Sequence, residues 1–303
     1  MSAGSYRYFD AETLAKLSGL RLRVQEVVDG AFSGIHRAVH RGSTVEFAEH
    51  KEYTPGDDLR RLDWKAYAKF DRFYVREFEA ETELRAFLLL DRSASMGYGA
   101  PLTKLEYGSV LVGSLASILA RQGDRPALMA YAKGVDRYLP PRARSQHLGA
   151  LLGALEVMSP AGETCLERAL TQLSELVGRR SLVVVVSDLF GVEEGALAIL
   201  RELRARQHRV VVVHLLHRDE IEFPFERLTV FKAMESQREL LVDPPGVRRR
   251  YLKELESFCH RVREACQRGR VEYLRVSTSE AVDGVLRHLM DPQHRPSAAL
   301  EEA

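Results

Sequence analysis

Cysteine is scarce in this chain of 303 residues: Cys165, Cys259 and Cys266 are the only three, and none stands in a Cys-x-x-Cys spacing. An odd count without paired spacing argues against a disulfide framework or a thiolate metal site and suits a reducing compartment. Cys259 and Cys266, seven apart in a helical stretch, are expected to face the core, where free cysteines usually lie. An excess of either charge is also missing. The formal net charge is +1, too small to attract nucleic acid by charge alone. The richest apolar stretch, from Val110 to Ala120, falls short of the ~20 residues that span a bilayer. Met1 to Asp10 has no apolar segment of a secretory signal. The expectation is a cytoplasmic protein with no membrane span and no nucleic-acid partner. Three catalytic signatures are missing too: the Gly-x-x-x-x-Gly-Lys-Ser/Thr loop of ATP hydrolysis, the Gly-x-Ser-x-Gly elbow and the His-Glu-x-x-His helix.

What is present is an ordinary globular composition, 45% hydrophobic and 29% charged, in a chain long enough to bury a core unaided. From Leu84 onward apolar runs alternate with helical spacings. Leu84 to Leu90, Ala127 to Ala132, Ser181 to Val186, Val210 to Leu216 and Val271 to Val276 read as strands. Lys104 to Arg121, Leu148 to Val157, Leu166 to Val177, Glu194 to Arg206 and Val247 to Gln267 read as helices. Strands apolar on both faces, separated by helices, predict an α/β fold: a doubly wound, mostly parallel sheet over residues 81–291. Residues 1–80 read differently, as a small α+β lobe. It holds a helix from Thr13 to Val28, strands at Thr44 to Phe47 and Phe73 to Phe78, a turn at Pro55 to Asp58 and a short helix near Leu62 to Ala68. Residues 292–303 read as a disordered tail.

In doubly wound sheets ligands bind beyond the carboxyl ends of the strands. Three polar clusters fall there: Asp91-Arg92-Ser93-Ala94-Ser95, Gly162-Glu163-Thr164 and Ser187-Asp188. Alternation in an extended turn would point Asp91, Ser93 and Ser95 the same way. Asp91, Asp188, Ser93, Ser95 and Thr164 offer two carboxylates and three hydroxyls, with no His or Cys, a set that suits a hard cation such as Mg²⁺ or Mn²⁺. Hydroxyls leave the ion electron-poor, so that a partner's carboxylate could complete its coordination. Taken singly, Ser93 or Ser95 could merely cap a helix and Asp188 could merely end a strand. Their order, one cluster per strand-end loop, favours the metal reading.

This order resembles the von Willebrand factor A domain and its metal-ion-dependent adhesion site. There, an Asp-x-Ser-x-Ser after the first strand, a Thr in a later loop and an Asp after the fourth strand hold Mg²⁺. The resemblance implies a metal set of Asp91, Ser93, Ser95, Thr164 and Asp188. Ser187-Asp188-Leu189 departs from it, standing where Thr-Asp-Gly is usual. The segment from Arg41 to Glu77 also resembles the bacterial family called domain of unknown function 58. Its features are Gly34, His36, Arg37, Gly42, Glu46, Phe47, Tyr53, Gly56-Asp57-Asp58, Arg60, Asp63-Trp64 and Tyr74-Val75-Arg76. The likeness runs from about Leu14 to Leu289. It implies a non-enzymatic module that works with a MoxR-type AAA+ ATPase in assembling or activating client proteins.

Within the signature, Asp57, Asp58, Arg60, Asp63 and Trp64 form either a buried ion-pair knot or a partner surface. The basic helix 247–267 is either a solvated face or a surface for an acidic partner. Glu46, Asp63 and Lys65 only weakly suggest a nuclease core. The enzyme alternative is a metal-dependent phosphoester hydrolase, which would need a general base and an activated water. An extracellular adhesive module fits poorly with the apparent lack of a signal peptide and of paired cysteines.

Overall fold

The computed structural model describes residues 20–29, 50–52, 67, 74–76, 84–178, 180–235 and 239–290. Two compact units divide the chain, one of them Ser33–Glu83. Within that unit, β1 (His50–Glu52) pairs antiparallel with β2 (Tyr74–Arg76), Lys51 opposite Val75. The expected strand at Thr44 to Phe47 and turn at Pro55 to Asp58 lie outside the described residues. So do Asp57, Asp58, Arg60, Asp63 and Trp64, and the tail 292–303.

The larger unit is built on a six-stranded sheet. Its elements in chain order are helix α1 (20–29), β3 (Arg85–Asp91), α2 (Lys104–Arg121), β4 (Arg125–Tyr131), β5 (Val135–Leu139), α3 (Ser145–Glu156), α4 (Leu166–Leu176), β6 (Leu182–Ser187), α5 (Glu194–Ala205), β7 (Arg209–Leu216), α6 (Arg218–Glu222), β8 (Thr229–Lys232), β9 (Glu239–Val242), α7 (Pro244–Arg268), β10 (Glu272–Ser277) and α8 (Val282–Met290). The strand order is β10-β7-β6-β3-β4-β5. Every pairing is parallel except β4 with β5. β8 and β9 form a separate antiparallel hairpin.

Period-two alternation sends the central strands into two cores. Leu88, Leu90, Val184, Val186, Val211 and Val213 meet α2, α3 and α8 on one face. Phe87, Leu89, Val183, Val185, Val210 and Val212 meet α4, α5 and α7 on the other. Each such side chain stabilises the fold by about 1.5–3 kcal/mol on burial, which explains why the middles of these strands are apolar and the buried polar residues Asp91, Ser187 and His214 fall toward their carboxyl ends. Cys259 and Cys266 are buried, as their spacing predicted. Among the described residues no helix is long and apolar enough to cross a membrane.

Helix α1 corrects the expected boundary of the amino-terminal lobe. Val24 and Val28 are buried in the first core, and Val24 approaches the bare Cα of Gly113 on α2. The compact unit before the sheet therefore spans 33–83, not 1–80, because an amphipathic helix goes where its apolar stripe is covered.

Candidate metal centre

The site lies at the carboxyl ends of β3 and β6, the two central strands. They pair in parallel with Leu90 opposite Val186, so the next residues, Asp91 and Ser187, emerge side by side. The Ser187 hydroxyl donates to Asp91 Oδ2 at 2.7 Å. Thr164 Oγ1 donates to the same oxygen at 3.0 Å. The Ser93 backbone N–H donates to Asp91 Oδ1 at 2.8 Å, and the Ser93 and Ser95 hydroxyls lie 3.1 Å apart.

Ser93 and Ser95 come together by a different route from the one expected. Ala94–Gly97 is a 3₁₀ turn with Ser93 at its start, so the tight winding, not extended alternation, brings the two hydroxyls to one side. Ser93 makes no side-chain capping bond there. The Thr164 loop is fixed by backbone pairing to the first motif. Ala94 N donates to Gly162 O at 2.9 Å, Ala161 N to Arg92 O at 2.8 Å, and Cys165 N to Ala132 O at 2.8 Å.

Asp188 is fully buried, with Oδ1 accepting the Phe190 N–H at 3.2 Å. Leu189, in the place of the usual glycine, has φ +56°. That left-handed conformation costs a non-glycine residue about 1–2 kcal/mol, and burial of the leucine side chain offsets it. The loop thus turns as a glycine would turn it.

Asp91 is also fully buried. Burial, and secondarily the neighbouring Asp188 carboxylate, push its carboxyl from 3.8 up to about 6 against the pull of the Ser93 N–H and the serine hydroxyls. Two buried acids this close need a positive charge. Their own oxygens plus those of Ser93, Ser95 and Thr164 match the preference of a hard divalent cation. Among the described residues no three His, Cys, Asp or Glu side chains are placed to hold a metal, so the hydroxyls are indispensable to the fit.

Sequence reasoning did not assign a role to Lys104, Glu220 or Ser187. Lys104, at the first turn of α2, is fully buried. Its Nζ lies 2.7 Å from Asp188 Oδ2 and 2.7 Å from Glu220 Oε1. Burial acts to lower its pKa, but Asp188 and Glu220 outweigh it and hold the ammonium above its ordinary value. A signal was available. Lys104, Gly108, Leu111 and Leu115 recur at i, i+4, i+7 and i+11, so the lysine stands on an apolar stripe. An alanine Cβ at Gly108 would lie 2.8 Å from Leu90 Cδ1. That close approach of helix to sheet lets Lys104, one turn earlier, reach the strand ends.

Beside Ser95 opens a cavity of about 770 Å³, walled by Tyr98, Phe190, Phe223, Phe231 and Tyr251. Leu228, Val230, Leu240 and Leu241, on or next to the β8–β9 hairpin, are exposed.

An Asp-x-Ser-x-Ser at the end of the first strand of the sheet, a Thr in a later loop and an Asp after its fourth strand stand in the order that resembles a von Willebrand factor A-type domain. The chain belongs to the family described as protein of unknown function DUF58, whose model matches residues 49–260. An uncharacterized protein of Mycobacterium tuberculosis is 31% identical over 244 residues, 78% of this chain and 75% of that protein. Solved structures with a similar fold include the conserved hypothetical protein BatB from Bacteroides thetaiotaomicron, 17% identical with a TM-score of 0.46, covering 68% of this chain and 96% of that one. The SpRpn10 VWA domain is 11% identical with a TM-score of 0.39, covering 69% and 95%.

Proposed function

We propose that this protein is a non-enzymatic binding module whose site takes up Mg²⁺ or Mn²⁺ and, through it, an acidic side chain of a partner protein. The observation that carries this reading is the convergence on Asp91. Two hydroxyls from separate segments, Thr164 in a loop and Ser187 at the end of β6, donate to one carboxylate oxygen at 3.0 and 2.7 Å. Burial differs across the set: Asp91, Asp188 and Ser93 are buried, whereas Ser95 and Thr164 are partly exposed. An ion held there would be anchored from below and open from above. Bound, it would supply a Lewis-acidic point for an anionic oxygen. The apolar cavity beside Ser95 suits a partner's side chains more than a small polar substrate.

The family resemblance makes a MoxR-type AAA+ ATPase, or a client of one, the partner of choice. Pull-down of that ATPase or client by the full chain is expected in Mg²⁺, with loss in EDTA and in Asp91→Ala. Equal recovery in EDTA would overturn the proposal. The alternative of phosphoester hydrolysis is set aside if the Mg²⁺-loaded protein turns over no generic phosphomonoester or phosphodiester.

A further inference from the structure

Lys104 is a fixed positive charge inside the candidate metal centre. Its ammonium is fully buried and shared between Asp188 Oδ2 and Glu220 Oε1, each at 2.7 Å. Glu220 is itself held, its Oε2 accepting the His217 N–H at 2.7 Å. The Phe190 ring closes the remaining side, 5.3 Å from Nζ to the ring centre. The lysine is thus confined to this position. Counting Asp91, Asp188 and Glu220 against Lys104, the four groups sum to −2 when ionised (three carboxylates less one ammonium).

Resting on the metal-binding reading above, we infer that Lys104 is a positioning residue: a built-in counter-cation that shares Asp188 with the divalent ion. It holds the ion's affinity down and leaves the ion charge to offer a partner's acid. The physical reason is Coulombic. An ammonium on one oxygen of a ligand carboxylate opposes a second cation at that carboxylate, most strongly where water is excluded. Without the lysine the three carboxylates would sum to −3 and outweigh a divalent ion, leaving a tightly bound but poorly electrophilic centre. Glu220 tempers the effect by drawing part of the ammonium's charge away from Asp188.

Two substitutions therefore act in opposite directions. Lys104→Met tightens Mg²⁺ or Mn²⁺ binding by about tenfold or more, and Glu220→Gln weakens it by roughly threefold or more. A lysine with only a structural role would give weaker binding when removed, never tighter. Isothermal titration of the full chain with MgCl2 and MnCl2 reads this directly. Lys104→Met leaves the buried Asp188 and the partly buried Glu220 without their ammonium and could fail to fold. The double variant Lys104→Met/Glu220→Gln removes one of those acids and is compared with Glu220→Gln alone, again expecting about tenfold tighter binding. Wild type that binds the ion while neither lysine variant binds more tightly than its parent overturns the role of Lys104 and leaves the metal reading standing. Folded wild type and variants that all take up no ion overturn both. Uptake by the lysine variants alone supports the role of Lys104 in its strongest form.

Discussion

Consider Asp91→Asn, which keeps the size of the side chain and removes its charge. In the metal-free protein the Asp91 carboxyl is raised from 3.8 to about 6 by burial and by Asp188, so at pH 7 it is ionised against resistance. That rise corresponds to roughly 3 kcal/mol of lost stability at neutral pH. The amide escapes the penalty but gives up charge-assisted bonds. It retains one acceptor oxygen, and the Thr164 and Ser187 hydroxyls must reverse to accept from its NH2 group, at about 1 kcal/mol each if they fail. The net expectation is a metal-free variant more stable than wild type by about 1–3 kcal/mol, or roughly 2–8 °C in Tm for a domain of this size. The sign can be checked by pH. A carboxyl raised on folding contributes stability that is fully present below its unfolded value and lost as pH rises through about 6. The advantage of Asp91→Asn should therefore vanish near pH 4 and grow to a plateau by pH 7. Taking the difference between the two proteins cancels the titrating groups that do not interact with Asp91. Thermal melts in EDTA across that range, repeated with excess Mg²⁺, make the assay. Mg²⁺ should raise the wild type by mass action and leave the variant nearly unmoved. A variant less stable than wild type by more than about 1 kcal/mol in EDTA at pH 7 would refute the claim that Asp91 is an uncompensated buried charge.

His214 should act in the opposite sense. It is fully buried on β7, with Nδ1 2.6 Å from the Tyr273 hydroxyl, and burial lowers its pKa from 6.5 to about 4. A base lowered on folding gives stability present above about 6.5 and lost as pH falls toward 4, worth roughly 3 kcal/mol; urea titrations should show that acid-side slope reduced in His214→Gln. Gly108→Ala forces a methyl to within 2.8 Å of Leu90 Cδ1 and should cost about 1–3 kcal/mol by overpacking, despite the better helix propensity of alanine; a rise in Tm would contradict the close approach of α2. Thr164→Val removes one hydroxyl from Asp91 Oδ2 and should weaken Mg²⁺ binding by about tenfold in calorimetry, with the far-ultraviolet circular dichroism unchanged.

The parts of the fold legible in the sequence are those whose physics is local or fully buried. β6 reads Leu-Val-Val-Val-Val-Ser because both its faces are covered, and a run of β-branched residues has little else to be. Lys104 to Arg121 matches its helix end to end because Thr103 and Glu106 form a capping box. Edge elements escaped. β5, Val-Asp-Arg-Tyr-Leu, is half solvated and reverses direction at the sheet's rim, and β8 and β9 carry exposed apolar residues that no core demands. In the candidate site, Asp91, Ser93, Ser95, Thr164 and Asp188 were nameable because strand ends in a parallel sheet converge. Ser187 could not be ranked above its neighbours without the register that sets it against Asp91. Lys104 stands out only as a lysine on an apolar stripe; its pairing with Glu220 joins two helices' first turns, which no spacing along the chain records.

That pairing bears on how the site is built. Along the carboxyl edge of the sheet the groups run in strand order: Thr164 in the loop tied to β4 through Ala132, Asp91 on β3, Ser187 and Asp188 on β6, and Glu220 in the helix after β7. Lys104 is carried by α2, which approaches Leu90 of β3 and Val186 of β6 closely at Gly108. A fold selected for stability alone would not keep Asp91 there, because a buried acid raised to about 6 weakens it at neutral pH. Nor would it place a second acid beside the first and compensate only the second. Asp188 has its ammonium within 2.7 Å; Asp91 is held by hydroxyls and a backbone N–H. The asymmetry leaves a place for one further positive charge at Asp91, close to the partly exposed Ser95 and Thr164. Such a charge would stabilise the fold when present, and an acidic ligand approaching from the Ser95 side would be drawn to it.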